Sequence, residues 1–312
     1  MATKVNADNF VAAETARMFA DIQRDAGGVN VLHHNRQPAP LDQQTVIRMN
    51  LDTLYSFAVV DVSAGATVTI PGSDGRYQSV MVVDGGHYVT QILHDPGEHA
   101  VSAETDHVFV AVRTLVDPGD PADVAAVGRI QDGLGLEAAS SEPYVPADYD
   151  SVSLDATRNA LLTLAAGLTG FDRTFGRRDQ VEPVRHLIGT AAGWGGLPTS
   201  EAAYVGVDPD APPGDYTLRM SGVPVDAFWS VSVYNAEGYF VPNALGRNSV
   251  NSVTAEHDDN GAVTVSFVES EDSTAPNAIP VPGPGWNYLV RLYLPRPEVL
   301  DGTWRVPSLE PA

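Results

Sequence analysis

Polar residues interrupt apolar, strand-like runs at several places in this 312-residue sequence, and chemistry is to be sought there. In RMNLDTLYSFAVV the interruptions are Arg48, Asn50, Asp52 and Tyr55. Side chains alternate along a strand, so positions 50 and 52 are expected on one face, where two oxygens could ligate a hard cation, orient a water or accept substrate hydroxyls. The structural alternative is that Asp52 caps a turn by accepting backbone N–H bonds. His87 and Tyr88 open HYVTQIL directly after Asp84-Gly85-Gly86. A histidine where a glycine-rich bend meets a strand can face a cleft, and imidazole is the natural general base near neutral pH. His186 lies in EPVRHLIGTAAGWGG. It reads as a functional group or, equally, as a half-buried helix histidine bonded to a carbonyl. The glycines around Trp194 allow close approach of a ligand, although tight packing between segments would select the same residues.

A further cluster, WSVSVYNAEGYFVPNALGRNS, gathers Trp229, Tyr234, Asn235 and Tyr239 with Asn243, Arg247 and Asn248. Aromatic walls with amide and guanidinium groups suit a small polar or anionic ligand, and the same aromatics suit a β-sandwich core. His94, His99 and His107 read as turn and surface residues, because HDPGEH lacks the HxH pair of a cupin metal signature.

Composition narrows the chemistry. There is no cysteine, which removes thiolate nucleophiles, disulfides and cysteine-held metals together. Lys4 is the only lysine, so Schiff-base catalysis is nearly excluded. No GxSxG elbow, phosphate loop, HExxH or strand-borne GxGxxG occurs, leaving no nucleotide or flavin signature. A net charge of -22 opposes nucleic-acid binding, and no apolar run is long enough for a membrane helix. Absence of a leader-like N-terminus implies a cytoplasmic protein.

The elements that must position these residues follow from periodicity. Apolar residues through VAAETARMFADIQRDAGG recur at helical spacing until Gly27-Gly28, predicting an N-terminal helix. From Thr45 to Val116, the runs TVIRM, LYSFAVVDV, ATVTI, YQSVMVV, HYVTQIL and HVFVAVRTLV predict short strands. PADVAAVGRIQDGL and VSLDATRNALLTLAAGLTG predict helices, and strands return with AAYVGVD, DYTLRMSG, AFWSVSVYN, AVTVSFVE and WNYLVRLYLP. Residues 269–284 read as a long acidic loop. The expected architecture is mainly β, with two β-sandwich domains joined by a helical segment: 1–120, 121–195 and 196–312.

Several segments together resemble a bacterial and archaeal family built from paired domains of unknown function numbered 1254 and 1214. They are HHNRQPAPLDQQTVIRMNLDTLYS, DGRYQSVMVVDGGHYV, VAVRTLVDPGDPADVAAV, DQVEPVRHLIGTAAGWGG, FWSVSVYNAEGYFVPN and GWNYLVRLYLPRPEVLDGTW, in order. The resemblance implies a jelly-roll-like second sandwich. Residues matching its motifs include His34, Asn35, Arg48, Asn50, Asp52, Tyr55, His87, Tyr88, His186, Trp194, Trp229, Tyr234, Asn235 and Tyr239. Leu51 departs from the pattern, standing where relatives commonly carry Arg in N-x-D-T-L-Y.

Two functional expectations result. The first is a small-molecule enzyme of hydrolase type, with Asp52, His87 and His186 converging in an inter-domain cleft. Asp52 would orient the His87 ring, and Arg48, Asn50 and the aromatic cluster would place substrate or a divalent metal ion. The second is a non-catalytic β-sandwich that grips a metabolite or assembles as a homo-oligomer.

Overall fold

Runs rich in Val, Thr and aromatic residues, cut by Gly, Pro and Asp turns, make the chain mainly β, with 28% strand against 19% helix. The computed structural model describes residues 2–44, 47–168 and 170–312. Two compact units emerge, the first comprising residues 1–36, 54–115 and 125–198 and the second residues 37–53, 116–124 and 199–312. Most of the helical middle segment therefore belongs to the first unit, and the stretch carrying Asn50 and Asp52 belongs to the second.

The N-terminal helix α1 (Phe10–Ala26) buries Phe10, Ala13, Ala16, Phe19 and Ile22 and stops at Gly27, whose φ of 83° glycine adopts without penalty. Strands β1 (His33–His34), β2 (Thr53–Asp61), β3 (Ala66–Ile70), β4 (Gln78–Val83), β5 (Val89–Leu93), β6 (Gly97–Val101) and β7 (His107–Leu115) follow. Then come α2 (Pro121–Asp132), β8 (Gly135–Ala138), α3 (Ser151–Ala165) and α4 (Pro183–Ala192). One sheet has the order β1-β2-β7-β4-β5 and a smaller one β6-β3-β8. Val60, Val68, Val80, Val101 and Val110 fill the core between them. Helices α1, α3 and α4 join through Phe10, Ala13, Leu154, Leu161 and Ile188, so the middle helices share a core with the N-terminal one.

The second unit holds β9 (Ala202–Val207), β10 (Tyr216–Met220), β11 (Trp229–Tyr234), β12 (Ser249–Asn251), β13 (Val263–Val268), β14 (Ala278–Pro280), β15 (Asn287–Tyr293), α5 (Pro297–Leu300) and β16 (Glu310–Pro311). Sheets ordered β14-β13-β10-β16 and β12-β11-β15-β9 form its two layers. Leu218, Val231, Val265, Phe267 and Val290 lie fully buried in one core fed by both. Strand β14 falls within the stretch read as a loop. TVIRM forms no strand among its described residues: Ile47 and Arg48 make a turn, Arg48 at φ 52°, while Thr45 and Val46 lie outside the described residues.

Candidate functional site

Asp52 is built into the C-terminal unit. On β11, Trp229, Val231 and Val233 face the apolar core, which turns Ser230, Ser232 and Tyr234 to the other face, beside Arg291 and Tyr293 of β15. That outer face is also buried, since every residue of both strands is inaccessible. Leu41, Met49 and Leu51, from the same unit, meet Tyr234, Phe240 and Leu289 over it. The departure at position 51 thus has a local use, because leucine fills an apolar cluster.

Asn50 and Asp52 precede β2 rather than sharing a strand face. The Asp52 backbone N–H donates to Asn50 Oδ1 at 2.8 Å, an Asx turn. The Asp52 carboxylate accepts from Ser230 Oγ at 2.5 Å, Ser249 Oγ at 3.3 Å and the Tyr293 hydroxyl at 3.5 Å. Arg291 donates to Ser232 Oγ at 2.8 Å, Ser232 to Ser249 at 3.1 Å, and Ser249 to Asp52. A buried cation is thereby joined to a buried carboxylate through two serine hydroxyls, each bond donated in the same direction. Arg291 also donates to the Arg48 and Met49 carbonyls and to the Tyr234 hydroxyl, fastening residues 48–52 to the sheet. Burial pushes the Asp52 carboxyl up, against the pull of Arg291 and the three hydroxyls. Burial also works against the Arg291 charge, but Tyr234, Asp52 and Tyr293 outweigh it and hold the group above its ordinary range. Among the described residues, no three His, Asp or Glu side chains gather as a metal-ligand set.

His87 and His186 come together in the N-terminal unit. Their rings stack with centroids 5.4 Å apart, between Tyr88 on His186 at 4.5 Å and Trp194 on His87 at 5.3 Å. Arg178 caps the column over Tyr88. Thr190 Oγ1 donates its one proton to the His186 carbonyl, so it must accept from His87 Nδ1–H at 2.8 Å. His87 Nε2 consequently carries a lone pair, and the Gly195 N–H donates to it at 2.9 Å. Both nitrogens are committed and the ring is 2% exposed. Burial, with the neighbouring His186, pushes its pKa down from 6.5 to about 3. The general-base role expected of His87 is at odds with this geometry, because the lone pair that would take a substrate proton is already bonded. Thr190, from the same unit, orients the ring in place of Asp52, which lies in the other unit. His186 faces the Gly86 and Thr174 carbonyls at 3.0 and 3.3 Å, the carbonyl-bonded helix histidine of the structural alternative.

The glycine run serves packing. A Cβ at Gly189 would overlap Thr174 Cγ2, and one at Gly196 would overlap the Phe175 ring. Trp194 donates its indole N–H to Thr15 at 3.2 Å. Tyr55 lies 5.3 Å under the Arg113 guanidinium. Trp229 sits in the C-terminal core, Tyr234 bonds to the Met49 carbonyl, and Asn235 Oδ1 accepts from the Tyr239 N–H in a turn that leaves the Tyr239 ring part-exposed. His94, His99 and His107 each bond to a backbone carbonyl, as turn and surface histidines would.

A cavity of about 550 Å³ opens in the C-terminal unit, a site the sequence reading missed. Val205 and Val207 of β9, with Val299, Trp304, Val306 and Leu309, supply apolar walls. Tyr288 of β15 and Arg305 supply its ionisable groups. Tyr288 is 1% exposed, yet its hydroxyl has no hydrogen-bond partner among the described residues. Burial alone pushes its pKa up to about 12, so the group stays a neutral donor. In WNYLVRLYLP nothing sets this tyrosine apart from its neighbours.

Two family models match separate stretches of the chain. Residues 29–99 match a protein family of unknown function, DUF1254, and residues 207–297 match another, DUF1214. The VPA0106 protein from Vibrio parahaemolyticus has a similar solved structure, with 19% identity, 97% of each chain covered and a TM-score of 0.73. An uncharacterized protein from Burkholderia cenocepacia is similar at 16% identity, covering 92% of this chain and 85% of its own, with a TM-score of 0.53. No curated protein matches the chain. Among the described residues, no helix is long and apolar enough to cross a membrane.

Proposed function

The chain belongs to the family that pairs DUF1254 with DUF1214, and we propose that this member is a small-molecule-binding protein whose ligand occupies the cavity of the C-terminal sandwich. The observation that carries the reading is the cavity itself, where apolar side chains from β9 and the C-terminal tail stand around the Tyr288 hydroxyl and the Arg305 guanidinium. A hydroxyl and a guanidinium fork on an otherwise apolar wall offer hydrogen bonds that a bound molecule can complete. A volume of about 550 Å³ falls in the range of sites for metabolite-sized ligands, and apolar walls with few polar groups are their usual lining. The non-catalytic reading is favoured over hydrolysis by the hydrogen-bond accounting at the expected catalytic residues. Asp52 and His87 each have every polar side-chain atom engaged by neighbours of their own unit.

The test compares wild type with Val205→Trp, which fills the cavity from β9. A panel of apolar metabolite-sized compounds should raise the melting midpoint of wild type by several degrees for some members and leave the filled variant unmoved. If no compound shifts wild type while Val205→Trp itself melts higher, the cavity is a packing gap and the reading falls.

A further inference from the structure

The ligand's charge can be read from the cavity lining, on the premise that the cavity is a binding site. Among the described residues, Arg305 is the only ionisable side chain around it besides Tyr288, and no carboxylate lines it. In a chain with 40 acidic residues that asymmetry is informative, because a carboxylate within reach would have neutralised the guanidinium. Other exposed arginines here do find such partners, among them Arg24, Arg219 and Arg296. Arg305 makes one long hydrogen bond, from Nε to the Gly302 carbonyl at 3.4 Å, which leaves its Nη fork open. Guanidinium forks match carboxylates in bidentate geometry, and such charge-assisted bonds are about twice as strong as neutral ones.

We infer that the cavity holds an amphipathic monoanion, an organic carboxylate whose charged end meets Arg305 and whose apolar body lies against Val205, Val207, Val306 and Leu309. Tyr288 contributes a neutral hydroxyl donor on the same lining. The net charge of -22 disfavours anions at long range, but at about 0.15 M salt that field is screened beyond ~8 Å, and the adjacent guanidinium decides the preference.

Calorimetric titration of octanoate and 1-octanol, matched in chain length and differing in charge, tests the assignment. Wild type should bind octanoate at least about tenfold more tightly than octanol, equivalent to about 1.4 kcal/mol. Arg305→Gln, a surface change that leaves the core untouched, should bring the two affinities together by weakening octanoate alone. Tyr288→Phe should weaken octanoate while leaving the preference for charge partly intact. Octanol binding as tightly as octanoate, or a preference that survives Arg305→Gln, overturns the charge assignment and leaves the binding site standing. Titrations that show no saturation with either compound, and are indistinguishable from those of Val205→Trp, overturn both.

Discussion

Substitution His87→Gln removes the ring whose protonation the N-terminal unit excludes, and its consequence follows from the bonds around it. In the folded chain the His87 pKa lies near 3, against 6.5 ordinarily. Between those values the unfolded chain binds the proton and the folded chain does not. The stabilisation is therefore complete above pH 6.5 and is lost as pH falls, at up to about 1.4 kcal/mol per unit, levelling off near pH 3. By pH 5 the loss amounts to roughly 2 kcal/mol. Glutamine can still accept from the Gly195 N–H and donate to Thr190, but it forfeits the stacking on Trp194 and His186, at a cost of about 1–2 kcal/mol at pH 7. The variant should be less stable at pH 7 and roughly level with wild type at pH 5.

Urea titrations at pH 7, 6 and 5 would show this as converging midpoints at constant slope. Amide exchange at Gly195, whose N–H bonds directly to Nε2, gives a local reading: protection in wild type should fall with pH faster than in the variant once intrinsic exchange rates are divided out. Parallel decline of both proteins would refute the assignment of His87 as a permanently neutral acceptor, and with it the case against its acting as a base.

Arg291→Met should cost about 3–5 kcal/mol in urea unfolding, because it strands Asp52 without its counter-charge and leaves the Arg48 and Met49 carbonyls short of a donor. Asp52→Asn should gain stability relative to wild type as pH rises from 4 to 7. The folded carboxyl is raised above its ordinary value, so wild type loses that contribution on ionising and the amide does not. Gly189→Ala should destabilise by about 1–3 kcal/mol or more in thermal melts, since its methyl would overlap Thr174. Added salt up to ~1 M should raise the melting midpoint of a chain at -22; a flat response would mean the acidity carries no energetic consequence.

Strand and helix positions were largely legible because periodicity is local. The N-terminal helix ends at the glycine pair that marks it, and the long Val-rich runs become β2, β4, β7, β11, β13 and β15. Short strands escaped detection, β12, β14 and β16 being two or three residues each, too short to establish a period. At Asn50 and Asp52, strand-like texture led to a shared face, and an Asx turn stands there instead. The alternation in WSVSVY was read correctly, but alternation alone does not tell a wet face from a second buried one. The available hint was chemical: its polar positions are serine and tyrosine, hydroxyls that a buried network can satisfy, where a solvated face would carry charges.

The candidate site was less legible, because what separates a structural polar residue from a functional one is the count of partners it meets, and those partners are remote in sequence. Asp52 finds its three hydroxyls about 180 to 240 positions away, and His87 finds Thr190 and Gly195 more than 100 away. Both looked costly in an apolar pattern, and the cost is met in full by groups of matching donor and acceptor sense. Tyr288 is the reverse case. A tyrosine in a core strand looks satisfied by burial alone, since its ring packs on Phe267 at 5.1 Å, yet the residue lines the cavity and its hydroxyl makes no hydrogen bond among the described residues. Apolar patterning places the ring and says nothing about the oxygen. A cavity wall that joins apolar side chains to a hydroxyl and a guanidinium is therefore the better indicator of a ligand, and here it points to the C-terminal sandwich.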